Sequence, residues 1–461
     1  MLVPTEIEGL DPRFASDALA LRASRLVHAG LARLDPDTLV PVPYVARSWR
    51  WEGELALVVE LRDDVRFRSG KPVDADDVAA TIRGFAGSRH AQVVEPVAGV
   101  DDLGARRVRI RLKRPYATLL SALEVPVLRA DEADGPPRLD GSLDGLGPFE
   151  TARFARGEVR FAPRDHGALP RPAHEVVFRS VRDENARALR LFAGRADLIQ
   201  NGLSPVVLPA VARQPGVAVT ARSGANLTYM VFRTDRGPFA DARVRRAVAA
   251  GIDRPRIART LLGGHAGVAD SIFPPGHWAR TPAEGRPFDP ARTREELARA
   301  GVTNLRFTLT TSTDRLRGTI ARFIGQTLAD SGVTVEVVPL ELGTMLARLG
   351  SGDFEAATLQ LPELGEPNVL RVFLHSASIP PNGSNRGRVR DAELDRLLDE
   401  GMRELDVDAR RGIYARVDAR VREELWIVPL FHEDQIAVTS ERARGYVPSA
   451  EGRYLGLAAL K

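Results

Sequence analysis

The stretch from 305 to 340 constrains this chain more than any other. It reads LRFTLTTS (305–312) as a strand, RGTIARFIGQTLADSG (317–332) as a helix and VTVEVVPL (333–340) as a second strand. A strand, a helix and a strand in such close succession predict a parallel βαβ unit, because parallel neighbours need a crossover and a helix is the usual one. The chain is therefore expected to be α/β.

The rest of the sequence carries the same two periods. Residues 17–34 place Leu19, Leu26, Leu31 and Leu34 in a helical pattern. ELALVVELRDDVRF (54–67) predicts a hairpin-like pair of strands, RRVRIRLKRPY (106–116) one clear strand, HEVVFRSV (174–181) another and NLTYMVFRT (226–234) another. DENARALRLFAGRADL (183–198) predicts a helix capped by Asp183. GPFADARVRRAVAAGIDRPRIARTLLG predicts two consecutive helices, the second capped by Asp253 with Pro255 in its first turn. Two charged helices are expected near 391–404 and 407–425, and WIVPLF (426–431) as a buried closing strand. Residues 129–147, rich in Gly, Pro and Asp, predict a loop or boundary.

FRSGKPVDADDVA (67–79) imitates the end of a phosphate-binding loop and fails as one. Val65 stands where that motif needs a glycine, and Pro72 stands where it needs the magnesium-holding Ser or Thr. The stretch predicts a strand, a turn at Ser69-Gly70-Lys71-Pro72, and a helix capped by Asp74 with Asp77 in its first turn and Val78, Ile82 and Phe85 on its apolar face.

Other chemistries lack their residues. The eight histidines include no pair with the spacing of a helical zinc site, there is no H-E-x-x-H and no G-x-S-x-G, and no carboxylate pair sits in an apolar setting. No catalytic residue, metal ligand or cofactor is predicted. A net charge of +4 over 461 residues, with arginines scattered among Asp and Glu, gives no nucleic-acid face. Length implies two to four domains. No apolar run approaches the roughly 20 residues of a membrane helix. Cysteine is absent, so neither disulfides nor thiolates contribute. MLVPTEIEGLDP has neither the basic start nor the apolar core of a secretory signal. The expectation is a cytoplasmic chain or one whose leader is gone.

Five stretches in order resemble one family, the family 5 extracytoplasmic solute-binding proteins of ABC importers, of the dipeptide- and oligopeptide-binding type. LDPRFASDALALRASRLVHAGLARLDPDTLVPVPYVARSWRW resembles the family's opening, and LRDDVRFRSGKPVDADDV resembles the segment by which it is commonly recognised. LKRPYATLLSAL, GLGPFE (145–150) and YMVFRTDRGPFADARVRRAVAAGIDRPRI are similar to its later segments. The resemblance covers residues 10–435. Two departures stand out: Arg233 replaces a usual Asn, and LQLPELGEPNVL (359–370) lacks the aromatic residues of the peptide binders.

The resemblance implies a two-lobed periplasmic-binding-protein type II fold with an extra small domain, a cleft between lobes and hinge closure on the solute. Lobe I would comprise 1–35, 146–232 and 437–461, with an accessory domain at 36–145, and lobe II 233–436. By the same resemblance Glu363 takes a ligand ammonium group and Leu359 and Leu361 offer backbone groups. Ser16, Asp17 and Ala18 lie on the facing strand or loop, and Arg315 and Arg317 lie near a cation for the ligand's carboxylate. The implied partners are a peptide or other small solute and an ABC-transporter membrane permease, with no nucleic acid, for a monomer working outside the cytoplasm. The alternatives are a non-peptide solute (a metal chelate or a cationic small molecule) and the ligand-sensing domain of a cytoplasmic transcription regulator.

Overall fold

The computed structural model describes residues 1–15 and 17–460. They form two compact units, the first made of Met1–Arg222 with the C-terminal stretch from Gln435, the second of Ser223–Asp434. No helix among the described residues is long and apolar enough to cross a membrane.

In chain order the first unit contributes β1 (Leu2–Val3), β2 (Ala32–Leu34), β3 (Pro41–Pro43), β4 (Ala46–Trp51), β5 (Ala56–Leu61), β6 (Val97–Asp102) and β7 (Arg107–Leu112). It continues with β8 (Phe149–Ala155), β9 (Glu158–Pro163), β10 (Val176–Ser180), β11 (Leu198–Gln200) and β12 (Val217–Ser223). The second supplies β13 (Leu227–Phe232), β14 (Ala266–Val268), β15 (Arg306–Ser312), β16 (Thr334–Leu340) and β17 (Ala356–Leu361). The last strand, β18 (Ile427–Ser440), starts in the second unit and ends in the first.

Two sheets matter in the first unit. β4-β5-β7-β6 is antiparallel throughout, with Leu57 opposite Ile110 and Val59 opposite Val108. Those side chains, alternating with arginines that stay in water, build a core with Phe67, Val73 and Val78. The other sheet runs β11-β1-β10-β9-β8, and the end of β18 pairs with β11.

The corner at 67–79 forms as its residues dictate. Asp74 accepts the Asp77 N–H at 3.0 Å, Asp77 accepts the Asp74 N–H at 3.1 Å, and the helix Ala75–Ala86 starts there. Lys71, the lysine of the false phosphate motif, spends its charge on Asp74 (2.7 Å) and Asp77 (2.6 Å). The hairpin expected in 54–67 does not form. β5 is one strand, and residue 66 makes only an isolated bridge to Pro72, which has no N–H with which to extend a ladder.

The helical pattern over 17–34 also breaks early. The helix is Ala18–Val27, and residues 32–34 are strand. Gly30 separates them because its backbone lies against another: a Cβ there would come within 2.6 Å of the Leu123 carbonyl oxygen.

In the second unit β15 and β16 are parallel from Arg306–Thr334 to Ser312–Leu340, and the helix Arg315–Ala329 is the crossover between them. Ile320, Ile324 and Leu328 of that helix join Phe307, Leu309 and Phe232 in the unit's core. The sheet order is β16-β15-β17-β13-β18, with β14 on the far side of β18. All six residues of β13 are buried, so the second unit begins ahead of this strand and not at 233, where the strand has already ended. β18 runs nine residues past the expected end at Phe431.

Candidate functional site

The geometry of β13 decides what β17 can offer. The Arg233 N–H donates to the Glu355 carbonyl at 2.9 Å, and the Phe232 N–H to the Trp426 carbonyl at 3.2 Å. Antiparallel pairs alternate, so the odd residues of β13 turn their main chain to β17 and the even ones to β18. Pro429 sits opposite Tyr229, a position that asks nothing of its missing N–H, in agreement. On β17 the register then turns Leu359 and Leu361, opposite Tyr229 and Leu227, towards β13. Thr358 and Gln360 turn the other way. β15 covers that second edge only at Leu309–Ala356 and Thr310–Ala357. Past that point the main-chain N–H and C=O of Gln360 line an edge with no ladder partner among the described residues.

A polar network stands beside this edge. Arg317 grips Glu433 with both terminal nitrogens, at 2.5 and 3.0 Å. Thr228 donates its hydroxyl to Glu433 at 2.5 Å, and the Gln360 side-chain amide adds a bond at 3.2 Å. Burial works against the Arg317 charge, but Glu433 outweighs it and holds the guanidinium above its ordinary range. The Glu433 backbone is fixed in turn: its N–H donates to the Asn226 side-chain oxygen (2.8 Å), and the Asn226 amide donates to its C=O (2.7 Å).

Two buried histidines brace the surroundings. His277 accepts the Ala279 N–H on Nδ1 at 3.0 Å, so its Nε2–H donates to the Gly365 carbonyl at 3.2 Å. Burial pushes its pKa down to about 3, so the ring is neutral. His432 lies between the carbonyls of Asn226 (2.6 Å) and Ser271 (3.1 Å), and burial lowers its pKa as well. The turn after β17 is held by Arg410, which bonds Glu366 at 2.6 Å and lies over the ring of Trp278.

The expected site residues fall as follows. Leu359 and Leu361 are on β17, and half-buried Glu363 follows two residues beyond its end. Arg315 and Arg317 open the helix Arg315–Ala329; Arg315 is exposed, and Arg317 is committed to Glu433. In the first unit Asp17 is neither on a strand nor free in a loop. It caps the helix Ala18–Val27, accepting the N–H groups of Leu19 (2.8 Å) and Ala20 (2.9 Å), and Ala18 is that helix's first residue. Ser16 lies outside the described residues. Sequence reasoning missed Thr228, Gln360 and Glu433. The signal for Glu433 was the polar run His432-Glu433-Asp434-Gln435 between two apolar halves of one strand, which read as the strand's end.

The chain as a whole is similar to known proteins. The family model described as bacterial extracellular solute-binding proteins, family 5 Middle, matches residues 40–364. A probable di/tripeptide-binding protein 5 of Pseudomonas aeruginosa (strain UCBPP-PA14) is 25% identical over 92% of this chain and 88% of its own. Heme-binding protein A of Haemophilus influenzae is 26% identical over 89% of this chain and 82% of its own. Among solved structures, NikA from Brucella suis in complex with Fe(III)-EDTA superposes with a TM-score of 0.88 at 22% identity, covering 100% of this chain and 99% of that one.

Proposed function

The chain belongs to the bacterial extracellular solute-binding proteins of family 5, and we propose that the solute it captures is peptide-like. As a member of that family it is a binding protein of an ABC importer and not an enzyme. It works outside the cytoplasm and hands a small solute to a membrane permease. The finer reading concerns which solute.

The observation that carries it is the open edge of β17. A strand whose Gln360 N–H and C=O have no ladder partner among the described residues is suited to a short extended peptide, which adds itself as a further strand. In this reading the backbone groups come from Gln360 and not from Leu359 or Leu361, whose groups serve β13. Glu363 takes the peptide's ammonium group. With Arg317 occupied by Glu433, the peptide's carboxylate falls to exposed Arg315. The protein acts as a monomer, without nucleic acid.

The relatives' names supply the competitors, haem and metal chelates. No group of three His, Asp or Glu among the described residues is placed to hold a bare metal ion, so a metal would have to arrive already chelated. Thermal melts with di- and tripeptide mixtures, haem, and nickel with histidine separate the readings, since a ligand of the native state raises Tm by mass action. Peptides are expected to raise Tm. A rise with haem or nickel–histidine and none with any peptide would sink the peptide reading.

A further inference from the structure

The first unit, taken by itself, holds a cavity of about 260 Å3. Its walls are apolar, with Leu34, Leu169, Pro170, Val447, Leu455 and Ala459 among them. Ser449, Glu451 and three arginines also line it, and two of the arginines are answered by carboxylates. Arg222 is bonded to Asp37, and Arg453 to Glu124 at 3.0 Å with Glu451 at 3.8 Å.

Arg33 differs. It is half-buried on β2, and its side chain makes no hydrogen bond or ion pair among the described residues. Its guanidinium lies over the ring of Tyr44, whose centroid is 6.0 Å from the guanidinium carbon. A charge drawn partly out of water is costly without a counter-charge, and an apolar cavity sharpens that cost. A molecule bringing both an anion and an apolar body would relieve it.

We propose that this cavity is a binding site for a small amphipathic anion: a carboxylate on an apolar body, with Arg33 as the counter-charge. A cavity of about 150 Å3 holds benzene, so this one accommodates a body of about ten heavy atoms. The site does not depend on the solute reading for β17. The two rest on different residues of different units.

3-Phenylpropionate is the probe, with 3-phenylpropylamine as its charge-reversed counterpart, titrated into the full chain by calorimetry or ligand-observed NMR. For a ligand this small, saturable binding with a Kd of about 1 mM or below is expected. Arg33→Gln should weaken it at least tenfold, Ala459→Phe should abolish it by filling the cavity, and the amine should not bind. Melting curves of both variants confirm that they are folded. Gln360→Pro, which strips the β17 edge, should leave probe binding intact. The proposal is overturned by no saturation with the wild-type chain, by equal affinity in Arg33→Gln, by equal binding of the amine, or by loss of binding in Gln360→Pro, which would put the probe in the solute site instead.

Discussion

Glu433 and Arg317 are each mostly shielded, with side chains 17% and 24% exposed, and each is the other's counter-charge. Glu433→Gln keeps the shape and leaves the guanidinium facing an amide. The expected cost is about 1–3 kcal/mol, below that of a fully buried pair because water still reaches both groups. Urea denaturation of Glu433→Gln, Arg317→Met and the double variant checks it, and a coupling energy near zero would show that the bridge contributes nothing. In the peptide reading Glu363 takes the ligand's ammonium group. Glu363→Gln should lower affinity for the peptide found in the screen roughly ten- to a hundredfold, the worth of a charge-assisted bond. Calorimetric titration reads it directly, with exposed Glu423→Gln as the control; unchanged affinity would remove Glu363 from the site.

At the scale of elements, β17 has two edges with different owners. Leu359 donates its N–H to β13, whereas Gln360 points its own away. Gln360→Pro should therefore keep the fold and lose solute, while Leu359→Pro should break a ladder bond and cost about 3 kcal/mol or more. Gln360→Ala, which keeps the N–H, separates the backbone contribution from that of the side chain. Melting temperature and peptide titration on the three variants give the answer. If Gln360→Pro binds as wild type does, the solute does not pair with this edge.

At the scale of the whole molecule, buried histidines set the acid limit. Burial pushes His28 and His166 down to about 4 and His277 to about 3. An unfolded histidine titrates near 6.5, so below that value the unfolded chain binds more protons and stability falls as pH falls. The contribution is complete above pH 6.5 and declines through pH 5, at about 1.4 kcal/mol per pH unit for each histidine. Asp77, Asp418 and Asp434, whose burial raises them, act in the opposite sense nearer the carboxylate range, so pH 6.5 to 5 is the window to use. Urea midpoints across it should drop, and His166→Phe, which keeps the stack on Tyr44 and removes one of four histidines lowered by burial, His432 being the fourth, should flatten the slope by about a quarter. A flat profile in the wild-type chain would mean these rings are not held neutral.

The period of the side chains determined the α/β class, the parallel β15–β16 pair with its crossover helix, and the caps at Asp74, Asp183 and Asp253, because each depends on neighbours within a few residues along the chain. Matching stretches also carried the family. What the sequence could not determine was which way each strand's backbone faces and which charges are already spent. Leu359 and Gln360 are adjacent and differ only in which edge they serve, a choice made by the register against β13 more than a hundred residues away. Arg317 reads as a free cation until Glu433, on a distant strand, is folded against it. The helix stops at Val27 although later leucines would have continued it, and at Gly30, just beyond, the backbone of Leu123 and Glu124 occupies the space a side chain would need. Those are contacts between segments far apart in the chain, and only packing brings them together.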